Sequence, residues 1–321
     1  GCGDPAVAVE AGRDARVDVD ATGSGLDAAL GTCDVLGALT DERLMAPAAG
    51  SGGYAAPSAQ FPRELRPAVA QVASRTLGAA EAVHFAYYRL CEGAGSEAGL
   101  LLLEPREPAA GHARIVIRPE GAPLILEVPH PFYDTDTLDE ALVIFEALGA
   151  RALIVSGTHR CASDVPSGCD GTTGACGATA PYVVSDMAHA TDAYFQAAHE
   201  GLAFRFPDDV VVSVHGFADD GASVSDGTND PVAADAPSAR LARALAARFD
   251  GVTSCNDGAG VPTVERLCGT TNVQGRHLNG AADACTDAAP GASGRFVHLE
   301  QSRLLRGDPA TVAAAFAEAF P

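Results

Sequence analysis

Two imidazoles, each closing an apolar run, are the residues best placed for chemistry: His130 ends PLILEVPH and His215 ends DVVVSVH. Both runs read as buried strands that deliver a side chain to the rim of a sheet, where open α/β sheets place their sites. A third run of this kind, GRFVHLE, ends on Glu300. Zinc needs neutral imidazole nitrogens and a carboxylate converging at roughly 2.0–2.2 Å, with one position left open for water. A hydrolase also needs an acid outside the ligand set to move the proton of that water. His130, His215 and Asp134 supply the first requirement, with Asp136 a rival for the carboxylate position, and Glu300 supplies the second. Taken singly, His130 reads as a polar loop residue, His215 as a satisfied core histidine and Glu300 as a surface acid paired with Arg303 or Arg306. Two strand-end histidines beside an acid favour metal.

His159 and Arg160 follow another strand-like run, RALIVSGTHR, and belong at the same rim. The planar fork of Arg160 suits an oxyanion or a substrate carboxylate; the alternative is an anchor for the cysteine loop that follows. His159, Asn272 and Arg276, the latter two in TTNVQGRHLNG, are candidates for substrate binding. Loops are polar by default, so the same cluster also reads as an ordinary loop. Asp186 and His189, three residues apart at an expected helix start capped by Ser185, read either as an outer support for the metal or as a solvated helix end. The Asp-rich stretch 219–235 lacks the spacing of an EF-hand loop and reads as an exposed, solubilising segment.

The elements that must position these residues alternate along the chain. After His130 come a helix over 138–148, a strand over 152–156, a Cys/Gly loop, a helix over 185–202, the strand ending at His215, a helix through SARLARALAARF, a second Cys-bearing loop, the strand ending at Glu300 and a closing helix. Such alternation predicts an α/β fold, a mixed, largely parallel sheet between helical layers. Residues 1–60, rich in Ala, Gly, Asp, Ser and Pro, read as a tether or loosely packed arm, and 61–321 as one domain.

The 321 residues carry a net charge of −21, with 21 basic residues that are all Arg. An acidic surface with no basic run argues against nucleic acid or an anionic membrane as partner. No apolar run reaches the length of a membrane span. Nine cysteines without any CxxC pair point away from metal clusters and toward disulfides in an exported protein. Setting Cys2 aside leaves eight, an even set, in which Cys169 with Cys176 is the first pairing to expect. Gly1-Cys2-Gly3-Asp4 resembles a bacterial lipoprotein cleavage site, with Cys2 as the lipidated residue of a periplasmic or cell-surface protein.

The set H-x-x-x-D, S-V-H-G and L-E-Q-S-R-L-L-R, spanning about residues 125–306, resembles the zinc carboxypeptidase-like superfamily, in particular its amidohydrolase branch of N-formylglutamate amidohydrolases and poly-gamma-glutamate hydrolases. The resemblance implies a three-layer α/β/α fold and a zinc site built from His130, Asp134 and His215. It implies a zinc-activated water as nucleophile, Glu300 as general base and Arg160 as a catalytic cation. Thr137 matches a recurring E-x-x-T feature of the poly-gamma-glutamate enzymes. The departure is the near pair, since peptidases of this fold use H-x-x-E where this chain has a longer gap and an Asp. The expected activity is cleavage of an amide bond in an acidic peptide-like or N-acyl amino acid substrate. The rival readings are a carboxypeptidase or cell-wall amidase on the same fold, and a disulfide-stabilised binding lipoprotein without catalysis.

Overall fold

The computed structural model describes residues 30–44, 46–76 and 87–321. Twelve strands are assigned among them: β1 Gly31–Cys33, β2 Tyr88–Gly93, β3 Leu101–Pro105, β4 Arg114–Ile117, β5 Ala122–Val128, β6 Ala150–Val155, β7 Thr172–Thr173, β8 Ala180–Pro181, β9 Val210–Gly216, β10 Ala222–Ser225, β11 Val252–Ser254 and β12 Phe296–Gln301. Ten of these form one mixed sheet in the order β1-β2-β3-β4-β6-β5-β9-β12-β10-β11, while β7 and β8 pair separately. The four central strands, β6, β5, β9 and β12, run parallel. Their side chains are buried on both faces, which is why they read as near-continuous apolar runs.

The helices are α1 Asp41–Leu44, α2 Gln60–Ala73, α3 Thr137–Leu148, α4 Tyr194–Arg205, α5 Pro237–Ala246, α6 Val273–Leu278, α7 Arg303–Arg306 and α8 Pro309–Ala319. One face of the sheet packs on α3, α5 and α8 through Ile144, Phe145, Leu241, Leu245 and Phe316. The other face packs on α2 and α4 through Leu65, Val69, Phe195 and Leu202. The result is the expected three-layer α/β/α arrangement. Gly149 ends α3 in the left-handed region at φ 60°, a conformation that returns the chain into β6. Because β5 has β6 on one side and β9 on the other, the chain leaves β5 at a topological switch, and His130 stands just beyond its carboxyl end.

Several expectations need correction. Residues 30–60, expected within a loose arm, contribute β1 at the sheet edge and the buried side chains of Val35, Leu39, Leu44 and Tyr54. The helix expected over 185–202 starts at Tyr194, preceded by a 3₁₀ turn at Met187–His189. Ser185 caps no helix; its Oγ donates to the Arg160 carbonyl at 2.7 Å and accepts from Ser163 N. The Asp-rich stretch 219–235 is only partly exposed, since it includes β10 and the buried Asp226, whose carboxylate accepts from Thr228 and Asn256. The eight cysteines pair as Cys33–Cys91, Cys161–Cys176, Cys169–Cys285 and Cys255–Cys268. Cys176 therefore joins Cys161, and Cys169 crosses 116 residues to Cys285. Proximity in sequence misled because the loop 161–176 folds back on itself while 169 faces a different chain segment. Among the described residues no helix is long and apolar enough to cross a membrane. The four disulfides fit an oxidising, extracellular environment. Cys2 lies outside the described residues.

Candidate metal centre

The chain leaving β5 makes a single tight turn in which Tyr133 N and Asp134 N both donate to the His130 carbonyl, at 3.0 and 2.8 Å. That turn explains the unusual spacing, because residues four apart on one helical turn lie on the same side. Asp134 thus folds back over the imidazole, with His130 Nδ1 and Asp134 Oδ2 3.3 Å apart. Thr137 fixes the turn through its hydroxyl, which donates to the Asp134 carbonyl at 2.6 Å. Asp136, the rival ligand, is exposed and precedes α3 at φ 71°. The structure places Asp134 inside and Asp136 outside.

His215 arrives at the end of β9, and its Nδ1 lies 3.7 Å from Asp134 Oδ2. His130, Asp134 and His215 are all buried, with ligand atoms mutually within 4.8 Å. Two ligands at ~2.1 Å from a tetrahedral ion sit ~3.4 Å apart, so the 3.3 and 3.7 Å separations suit a divalent cation. The outer nitrogens are also arranged for one. His130 Nε2 meets Asp186 Oδ1 at 2.7 Å and His215 Nε2 meets Ser213 Oγ at 2.9 Å, so each ring is oriented by a partner on its far side. His130 Nδ1 is buried without a hydrogen bond, as a nitrogen kept for a metal would be. The donor set of two imidazoles and one carboxylate therefore fits a cation.

Electrostatics act differently on the three donors: burial and Arg160 oppose charge on His130, but the carboxylates of Asp186 and Asp134 prevail and raise it above its ordinary value. Burial opposes charge on Asp134, but the adjacent imidazoles of His130 and His215 prevail and hold its carboxyl well below the usual carboxylate range. Burial lowers His215 to about 4, leaving a neutral ring. Asp186 is buried too, yet the charges of Arg160, His189 and His130 hold it well below its ordinary value. It bridges His130, Arg160 Nη2 at 2.6 Å and His189 Nδ1 at 3.0 Å. His189 is stacked beneath Tyr182 with ring centroids 3.6 Å apart, and both reach Thr271 Oγ1. The sequence pair Asp186 and His189 thus meets in contact, with Asp186 also on the far side of His130.

Glu300 sits on β12 directly beside His215, its register partner on β9, and is buried. Burial first, then the nearby Asp134 charge, pushes its carboxyl well above the usual range. The expected alternative, a surface pairing with Arg303 or Arg306, is not what the chain adopts. Two residues were not singled out from the sequence: Ser213, and His298, whose ring tilts over His215 at 4.5 Å and whose Nε2 lies 3.9 Å from Glu300 Oε1. His215, His298 and Glu300 form a second group with ligand atoms within 4.8 Å of one another. The signal was the period-2 alternation of S-V-H and H-L-E, which puts Ser213 with His215, and His298 with Glu300, on one face of their strands. Gly269 presses its backbone against His298; a Cβ there would lie 2.6 Å from the ring.

The rim above the centre comes from the turn after β6. Gly157 passes so close to His112 that a Cβ would stand 2.2 Å from its carbonyl oxygen, and this close approach launches His159 and Arg160 toward the site. Arg160 lies over the Tyr133 ring at 5.3 Å, with His159 edge-on to the same ring. Tyr133 is held by the Ala175 carbonyl, beside the Cys161–Cys176 bridge. Arg276 is not free to grip a substrate: its donors go to the carbonyls of Thr270 and Cys285 and to Asp170. Asn272 is the N-cap of α6, its side chain accepting from Gly275 N at 2.8 Å. Both are buried ties between loops, and their polarity satisfies backbone groups that a loop so enclosed would leave unpaired.

No protein-family model matches the chain, and no curated protein matches it in sequence. Among solved structures, a gene product of Agrobacterium tumefaciens is similar at 15% identity over 62% of this chain and 89% of that one, with a TM-score of 0.38. Proteins from Shewanella amazonensis and Shewanella denitrificans, each described as a candidate metallopeptidase, are similar at 14% and 12% identity over 81% of this chain. The matches cover 91% and 87% of those chains, with a TM-score of 0.32 in both cases.

Proposed function

We propose that the chain is an exported zinc-dependent hydrolase that cleaves an amide bond in an acidic peptide-like or N-acyl amino acid substrate. The observation that carries this reading is the convergence of His130 Nδ1, Asp134 Oδ2 and His215 Nδ1 beside a buried carboxylate, Glu300, that is not among the three. Two imidazoles and one carboxylate match the donor set of catalytic zinc sites with an open fourth position. Bound there, zinc would polarise a carbonyl and bring the pKa of a water toward neutrality.

The remaining work falls to side chains. Glu300 takes the proton of the attacking water and passes it to the leaving nitrogen, so that the amine departs neutral. Its buried position, with a pKa raised above the usual range, suits a group that must both accept and release a proton. Arg160 offers a fixed positive charge at the rim, oriented by Asp186, for an oxyanion or a substrate carboxylate. With Arg276 committed to loop carbonyls, the preference for an acidic substrate rests on Arg160 alone.

Metal content by mass spectrometry on protein purified without added metal tests the reading, together with turnover of N-acyl amino acids and gamma-glutamyl peptides. About one zinc per chain, lost in a His130→Ala, His215→Ala variant, and turnover abolished in Glu300→Gln with zinc retained, is the expected result. A wild-type protein that holds no zinc after reconstitution overturns the hydrolase reading and leaves a binding protein. Zinc with full activity in Glu300→Gln removes Glu300 from the mechanism. Profiling the cleaved substrates separates an amidohydrolase from a carboxypeptidase or cell-wall amidase.

A further inference from the structure

We propose that the cavity between α2, α4 and α6 is a second ligand site, separate from the metal centre, for a small organic anion that carries an apolar group and a hydroxyl. The cavity measures about 830 Å³ and is lined by Arg63, Arg66, Arg205, Arg295, His277 and Phe204 among others. Four arginines here face one carboxylate, Glu200, which pairs with Arg66 at 2.7 Å. On a chain of net charge −21 with 21 basic residues, this is a local reversal of sign, and a concave positive surface concentrates anions. Phe204, 80% exposed, supplies an apolar wall that nothing in the fold covers among the described residues.

His277 distinguishes this cavity from a chance gathering of surface arginines. Its Nδ1 meets His199 Nε2 at 3.0 Å, and His199 Nδ1 meets Glu127 Oε1 at 2.7 Å. Glu127 stands on β5 in the middle of the sheet, and both it and His199 are fully buried. Burying a carboxylate and an imidazole among Ile125, Phe195 and Val211 is costly, and the folded protein keeps them paired in a line that ends at the cavity. His199 meets Glu127 through Nδ1 and His277 through Nε2, so His277 Nε2 lies outside this line and can meet a ligand hydroxyl, which either donates or accepts. Burial, then the neighbouring His199, lowers His277 to about 4, so the ring is neutral at pH 7. Arg63 and Arg66 thus take the anionic group, Phe204 the apolar group and His277 Nε2 the hydroxyl, while Arg205 and Arg295 are tied to Ser74 and to the carbonyls of Ala203, Phe206 and Asp209.

Three probes separate these contributions: 4-hydroxyphenylacetate, phenylacetate, which lacks the hydroxyl, and 4-hydroxybenzyl alcohol, which lacks the charge. Binding is read on the full chain from the ring resonances of 13C-labelled histidines. 4-Hydroxyphenylacetate is expected to shift His277 and His199 saturably below about 10 mM, phenylacetate to bind more weakly, and the alcohol not to bind. Arg63→Ala with Arg66→Ala, both exposed and outside the core, should weaken binding at least about tenfold. His277→Gln should erase the difference between the two acids. The His130→Ala, His215→Ala variant should bind unchanged, which separates this site from the metal reading. No saturable shift at His277, or equal binding with both arginines removed, overturns the proposal.

Discussion

Replacing Asp186 with Asn tests whether the metal centre is held from outside. The carboxylate is 1% exposed and reaches His130 Nε2 at 2.7 Å, Arg160 Nη2 at 2.6 Å and His189 Nδ1 at 3.0 Å. Asn has the same shape but no charge, and its amide can accept with only one of its two terminal atoms. Either His130 or Arg160 therefore loses its acceptor. Loss of a carboxylate behind a metal-binding imidazole typically weakens metal affinity 10–100-fold, about 1.4–2.7 kcal/mol. Leaving the largely buried Arg160 charge without a partner adds a fold destabilisation of roughly 3 kcal/mol. Ser213→Ala removes only a neutral partner of His215 Nε2, so its effect should be smaller, on the order of 1 kcal/mol. Competition with a chromogenic chelator gives the affinities, and urea unfolding of the metal-free protein gives the stabilities. An Asp186→Asn protein that binds metal within about twofold of wild type would falsify the claim that this carboxylate shapes the site.

Three further outcomes follow from the same coordinates. Asp134→Asn should lose bound metal while Asp136→Asn, altered only at the exposed start of α3, should retain it; metal analysis of the two variants decides between the carboxylates. Glu140 is buried on α3, accepts from Gln301 Nε2 at 2.6 Å, and burial raises it to about 8 from 4.5. The folded state thus binds its proton more tightly than the unfolded chain, so the stability it contributes is complete below about 4.5 and is lost as pH rises through about 8. Glu140→Gln should flatten that fall, gaining on wild type by at most about 5 kcal/mol at alkaline pH, and parallel stability curves for the two proteins would contradict it. Opening the Cys169–Cys285 bridge with a double Ser variant releases a loop of 116 residues, so a loss of up to about 5 kcal/mol is expected in denaturant unfolding, and a loss below about 1 kcal/mol would count against it.

The sequence by itself determined the architecture and which strand-end side chains stand at its rim. Long apolar runs can be buried on both faces only in the middle of a sheet, so the strands ending near His130, Arg160, His215 and Glu300 had to lie side by side with their carboxyl ends at one rim. What chemistry those side chains share follows from that alignment, and the spacing of each from its strand was visible in the chain. Tertiary structure decided which neighbours they meet. Asp134 rather than Asp136 turns inward because one hydrogen-bonded turn after β5 folds back over His130, a backbone geometry that residue types alone do not specify. Asp186 lies ahead of the helix, which starts at Tyr194, and its carboxylate meets Arg160 and two imidazoles that come from other loops or from the next turn. Arg276, readable as a substrate anchor, is instead spent on the carbonyls of loops that a distant disulfide brings beside it. Local pattern reports which face a residue occupies, because that depends on periodicity along the chain. Pairing across loops depends on closure between segments far apart in sequence, and no periodicity records it.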